Sequence, residues 1–181
     1  MQIKIPSLLH EVLGERQSPG GLAIVALVSA ALAVLWLPAI GDLAELALWR
    51  RVLAGLLLLD IAAGAAANLT AGTNEFYARR PAHRWGFIAV HVHLPALAAL
   101  LALPLMPYAL VWGFTIGAAI VVNLLNGHAL QRLVAGGFLC IGLTALPLLA
   151  LEGLGMVASA LFLFKVVYAF GVDHQRGQAD G

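Results

Sequence analysis

Apolar residues run through this chain in long blocks that charge rarely interrupts. No acidic or basic residue lies between Gly21 and Ile40, between Trp85 and Gln131, or between Leu133 and Leu151, and Lys165 is the one charge in the last apolar block. Charge-free apolar runs of about 18 residues or more are the mark of membrane-spanning helices. The pattern predicts an all-α membrane protein with six spans, Gly21–Ile40, Val52–Thr70, Arg84–Met106, Tyr108–Leu130, Leu133–Leu151 and Leu154–Val172. Each is near the ~20 residues needed to cross the hydrocarbon core. The domain boundaries expected are an interfacial segment over 1–19, a transmembrane domain over 20–172 and a polar tail over 173–181. Within the first segment, Leu8, Leu9, Val12 and Leu13 fall on one helical face, which predicts a short amphipathic helix lying in the membrane interface. Pro104 and Pro107 bound a very short connection, so spans three and four are expected to form an antiparallel hairpin.

Composition sharpens this reading. Hydrophobic residues make up 62% of the 181 positions and charged residues 10%, against about 25% charged in an average soluble domain. A net charge of +1 provides no basic face for nucleic acid. The single cysteine, Cys140, excludes a disulfide framework and a thiolate metal cage. Glu11 and Glu15 precede a first apolar run too long for a signal h-region, so the N-terminus is expected to be retained.

Orientation follows from the loop cations. With a cytoplasmic N-terminus, the inner ends hold Lys4, Arg16, Arg79, Arg80, Arg84, Arg132 and Arg176, and the outer ends hold only Arg50 and Arg51. That imbalance predicts both termini in the cytoplasm of a bacterial-type inner membrane.

Polar groups within hydrocarbon are costly, so each is a candidate for function. Asp60 lies in span two and Lys165 in span six, at depths that differ by about 5 Å for a rise of ~1.5 Å per residue. A buried Asp60–Lys165 ion pair would avoid two isolated charges. Asp60, Gly64, Asn68 and Gly72 recur every four residues along one stripe, which runs on into a polar stretch ending at Arg79, Arg80 and, just beyond, Arg84. Those arginines are candidates to contact an anionic headgroup or phosphate.

The histidines are the sharpest signal. His91 and His93, two apart, would point about 200° away from each other on a regular helix, so one is expected to face the bundle, His91 in preference. Pro95 would clash with the His91 carbonyl and distort that turn. His128, near the inner end of span four, falls at a depth similar to that of His91. With Asn68, Asn123, Asn126, Lys165 and Tyr168 they predict a polar pocket in the cytoplasmic half. Three uses compete for it. His91 and His128, with His93 as substitute, would ligate a haem or a transition metal in a membrane oxidoreductase. Asp60, Asn68, Lys165 and the histidines would bind a small solute or ion in a carrier, where 181 residues imply a homodimer or partner subunits. The third use is packing alone, in a non-catalytic subunit of a larger membrane complex.

The order Asp60, Gly64, Asn68, Thr70, Tyr77, Phe87, His91, Pro95 resembles a group of uncharacterised small bacterial integral membrane proteins over about 40 residues. That resemblance implies no activity and carries no functional residue across.

Overall fold

The N-terminal residues fold back on themselves before the first long helix begins. Strands β1 (Ile3–Lys4) and β2 (Arg16–Gln17) pair antiparallel, with a 3-10 turn at Ser7–Leu9 and the single-turn helix α1 (His10–Leu13) between them. The helices that follow are α2 (Pro19–Gly41), α3 (Leu48–Ala67), α4 (Ala71–Ala78), α5 (Pro81–Val90), α6 (His93–Leu100), α7 (Leu105–Leu124), α8 (Gln131–Ala145) and α9 (Gly153–Leu163). The last of these widens into π-helical turns over Phe164–Phe170. This is a computed structural model, and it describes residues 2–41 and 43–175. Arg176 of the cation count, and most of the polar tail expected over 173–181, lie outside the described residues.

Among the described residues, four helices are long and apolar enough to cross a membrane: α2, α7, α8 with its 3-10 extension Leu146–Leu149, and α9 with its π turns. A fifth is added if α3 and α4, bent by 89° where they join, count as one span. Apart from the short β1–β2 pair, the elements of the described residues are therefore helical, with four to five such helices, where the apolar blocks predict six. The difference lies chiefly in the expected third span, which is split into α5 and α6 at His91–Val92.

Each departure from a straight span has a local cause. The stripe running from Asp60 does not continue straight, because the chain turns at Asn68–Leu69 and restarts at Thr70. The Thr70 side chain caps α4 by accepting from the Thr73 amide at 3.5 Å. Span four ends short of His128, because α7 stops at Leu124 and Gly127 adopts φ +88°, a conformation that glycine enters freely at a helix end. The expected amphipathic helix is only one turn long. Leu8, Leu9 and Val12 of the expected apolar face are nevertheless on the outside, with Leu8 91% exposed.

The centre of the molecule is α9 and its π turns. Phe162, Leu163, Val166 and Val167 are fully buried, and α9 packs against α3, α6, α7 and α8. Leu27, Leu35, Leu133 and Ile141 face outward. This apolar exterior around a partly polar interior is compatible with a membrane location. Where lipid is as apolar as the side chains, close helix packing depends on small residues. Gly155 shows this, since a Cβ there would overlap the Tyr108 hydroxyl. Gly155→Ala should destabilise the protein by about 1–3 kcal/mol through overpacking. Thermal unfolding in detergent would check it, with a smaller loss expected in a Tyr108→Phe background.

Candidate functional site

Three segments converge on one cavity of about 520 Å³. From α3 come Asp60, Gly64 and Asn68; from the junction of α5 and α6 come His91 and His93; from the π-helical turns comes Lys165.

The α5–α6 junction is where local chemistry matters most. Pro95 has no amide hydrogen and cannot bond the His91 carbonyl four residues back. His91 instead sits at φ −80°, ψ 64°, the centre of an inverse γ-turn closed by Val92 N–H donating to Val90 O at 2.9 Å. The released His91 carbonyl accepts from Trp112 Nε1 of α7 at 2.9 Å. Pro95 itself falls in the first turn of α6, where a missing amide hydrogen costs nothing. The break cancels the 200° divergence of a regular helix. Both imidazoles turn toward Asp60, with ring centroids 4.7 Å apart. The expectation that only one histidine faces the bundle is thus corrected.

Asp60 Oδ2 accepts from Lys165 Nζ at 2.5 Å and pairs with His93 Nε2 at 2.8 Å. The pair weighed from span depths is therefore formed, and a histidine shares its oxygen. The lysine side chain is only 2% exposed while that of Asp60 is 43% exposed to the cavity. Gly64 makes room for the lysine, because a Cβ there would overlap Lys165 Cε. Phe87 stacks on His91 at 3.7 Å and on Phe170 at 3.7 Å, which fixes the imidazole plane.

Hydrogen bonding assigns the imidazole protons. His91 Nδ1 lies 2.5 Å from the Phe87 carbonyl, which can only accept, so Nδ1 carries the hydrogen and Nε2 the lone pair. In a neutral His93, Nε2 donates to the carboxylate and Nδ1 holds the lone pair. His91 Nε2, His93 Nδ1 and Asn68 Nδ2 are all buried and, among the described residues, have no hydrogen-bond partner. One ligating atom from each of Asp60, His91 and His93 lies within 4.8 Å of the others.

The remaining residues predicted for the pocket fall into other groups. His128 is exposed in the loop after α7, where its Nδ1 accepts from the Leu130 amide at 3.2 Å, and it lines a separate depression with Gln131, Arg132 and Asp173. The expected His91–His128 ligand pair is therefore not assembled in one site. Equal depth on neighbouring helices says nothing about direction around each helix. Asn123 holds the buried Arg84, whose Nε donates to Asn123 Oδ1 at 2.6 Å while Nη2 donates to Gly171 O at 2.8 Å. Arg84 thus clamps α5 to the end of the π segment and is not placed to meet a headgroup. Arg79 pairs with Glu75 and Arg80 with Glu15, so both have carboxylate partners within the protein. Asn126 is exposed, accepting from Gln131 Nε2 at 3.5 Å. Tyr168 lies outside the cavity, stacked on Phe164 with centroids 6.0 Å apart.

The N-terminal segment also belongs to the site, which no pattern in the sequence indicates. Glu11 and Val12 line the cavity, as do His83 and Gly86 of α5. Tyr77 joins the two sides: it lines the cavity, and its hydroxyl donates to Glu11 O at 2.8 Å. No sequence period links residues more than sixty positions apart, such as Glu11 and Tyr77. No protein-family model, curated protein or solved structure matches the chain.

Proposed function

We propose that the chain is a six-span integral membrane protein that binds a transition-metal ion through His91 Nε2, His93 Nε2 and Asp60, with the His93 hydrogen moved to Nδ1. In this reading α5 and α6 together form one broken third span, both termini are cytoplasmic, and the cavity opens in the inner half of an inner membrane. The observation that carries the proposal is His91 Nε2, a buried imidazole nitrogen with a lone pair and, among the described residues, no partner, in a cluster whose ligating atoms lie within 4.8 Å of one another. Leaving buried polar atoms unpaired costs about 1–3 kcal/mol each. Metal-ligating histidines characteristically donate their other ring N–H to a carbonyl or carboxylate. His91 does so, from Nδ1 to the Phe87 carbonyl.

Two imidazoles and one carboxylate favour zinc, copper, iron, cobalt or nickel over magnesium or calcium. The Lys165 ammonium beside Asp60 strengthens that bias, because it offsets the charge on which a hard cation would depend. Metal–ligand bonds of ~2.0–2.2 Å put tetrahedral ligand atoms roughly 3.4 Å apart, so side-chain rotations of about an ångström complete the site. Three protein ligands leave a position for water or substrate, as in catalytic centres. The class of activity this supports is a membrane-embedded oxidoreductase.

The test is cobalt(II) or copper(II) titration of chelator-treated, detergent-purified protein, with metal analysis. One equivalent is expected, with an absorption band reporting nitrogen ligands. His91→Ala with His93→Ala should lower affinity at least 100-fold, and Asp60→Asn by about 10–100-fold. Absence of bound metal in the native protein would overturn the reading. A second reading, a small-solute carrier, is favoured by one fact: Lys165 and His93 share Asp60 Oδ2, which is a chain of titratable groups at the cavity wall. Uptake into proteoliposomes that is abolished by Asp60→Asn would support it.

A further inference from the structure

The same cavity carries a second set of metal-ligating groups at its rim. Glu11 Oε1 lies 3.2 Å from His83 Nδ1, and the two side chains are 69% and 45% exposed. They come from opposite sides of the opening, Glu11 from α1 and His83 from the first turns of α5. Both line the cavity that holds Asp60, His91 and His93.

Glu11 is not there by the wandering of a loose tail. Gly14, at φ +70°, lies so close to Gly72 of α4 that a Cβ would overlap the Gly72 carbonyl. Gln17 Nε2 donates to Leu13 O at 2.7 Å and to Thr70 Oγ1 at 2.5 Å. Thr73 Oγ1 donates to Val12 O at 3.2 Å, and Tyr77 to Glu11 O itself. These bonds bracket residues 11 to 17 and hold the Glu11 backbone against α4, which leads directly into α5.

We infer that Glu11 and His83 form a capture pair, which takes a transition-metal ion from the aqueous side and passes it to Asp60, His91 and His93. The inference rests on the metal-binding reading above. Moving a hydrated cation straight into a low-dielectric cavity requires it to lose most of its water at once. A carboxylate and an imidazole at the rim replace part of that shell first, and the rim carboxylate raises the local cation concentration. Two half-exposed ligands bind weakly, as a transfer step needs: favourable enough to receive the ion and weak enough to release it.

The experiment is stopped-flow mixing of cobalt(II) with full-length protein in detergent, following the absorption of the inner site, alongside an equilibrium titration. For Glu11→Gln and for His83→Gln, the expected result is an association rate lowered about tenfold, with release slowed equally. Stoichiometry and Kd then stay within about twofold of wild type. A pair that merely latches the rim shut predicts the opposite sign, since breaking it would speed association; an unchanged or raised rate therefore overturns the inference. That outcome leaves the inner site standing, provided wild type still takes up one equivalent that His91→Ala with His93→Ala removes. If wild type takes up no cobalt, the metal-binding reading fails, and this inference with it.

Discussion

Replacing Asp60 with Asn should cost about 5 kcal/mol of stability, and replacing Lys165 with Met about 3 kcal/mol, although each change breaks the same ion pair. Breaking a buried pair by removing one partner costs roughly 3–5 kcal/mol, because the charge left behind has no solvent. The survivor differs in the two cases. Without Asp60 the Lys165 ammonium is stranded in a setting only 2% exposed, whereas without Lys165 the Asp60 carboxylate, 43% exposed to the cavity, keeps its bond to His93. Methionine also fills the slot over Gly64 where the lysine chain runs. The double variant, Asp60→Asn with Lys165→Met, should recover most of the loss, since replacing both members of a buried pair is often close to neutral. Reversible unfolding in mixed detergent gives all four corners of the cycle. Strictly additive losses would show that the two side chains do not interact. If the metal reading holds, added cobalt(II) should stabilise Lys165→Met more than wild type, because the ion neutralises Asp60 without opposing an ammonium.

The second large effect should come from Gly14→Ala. Gly14 adopts φ +70° and ψ −177°, and its position against Gly72 leaves no space for a methyl group. Residues other than glycine are almost absent from that region of backbone space, and adopting it costs on the order of 1–3 kcal/mol. At the upper end, the population with the N-terminal segment undocked rises about 100-fold, since each ~1.4 kcal/mol is a factor of ten. Tryptic cleavage after Arg16 reports the opening directly. It should accelerate by about that factor while the global unfolding temperature moves little, because Gly14 touches none of the core around α9. A cleavage rate equal to that of wild type would show that the Gly14–Gly72 contact does not hold the segment down.

Much of the candidate site could be read from sequence, and the unread part has identifiable physical causes. Asp60 and Lys165 stand out because hydrocarbon does not admit charge without a partner, and a rise of ~1.5 Å per residue is enough to put them at matching depths. Pro95 marks a disturbance at His91. What it does not reveal is the direction of the resulting turn, because that depends on Trp112 arriving to take the His91 carbonyl. His128 leaves the site at a stop that the sequence carries: Asn126-Gly127 reads as a helix end, and Gly127 adopts the positive φ found just beyond α7. Lys165 lies in π-helical turns, and nothing in the run Phe164–Phe170 announces that change of period.

By itself, the sequence determined the helical class, the presence of several long apolar blocks, and the short set of polar residues that fall within them. These are one-dimensional properties, set by run length and by the cost of desolvating each side chain. The tertiary structure decided which of those residues meet. It separated His128, Asn123, Asn126 and Tyr168 from the cavity, brought His93 in beside His91, and closed the rim with Glu11 from the far end of the chain. Rotation about each helix axis, and the docking of distant segments, depend on packing between elements, and no period within a single element records that.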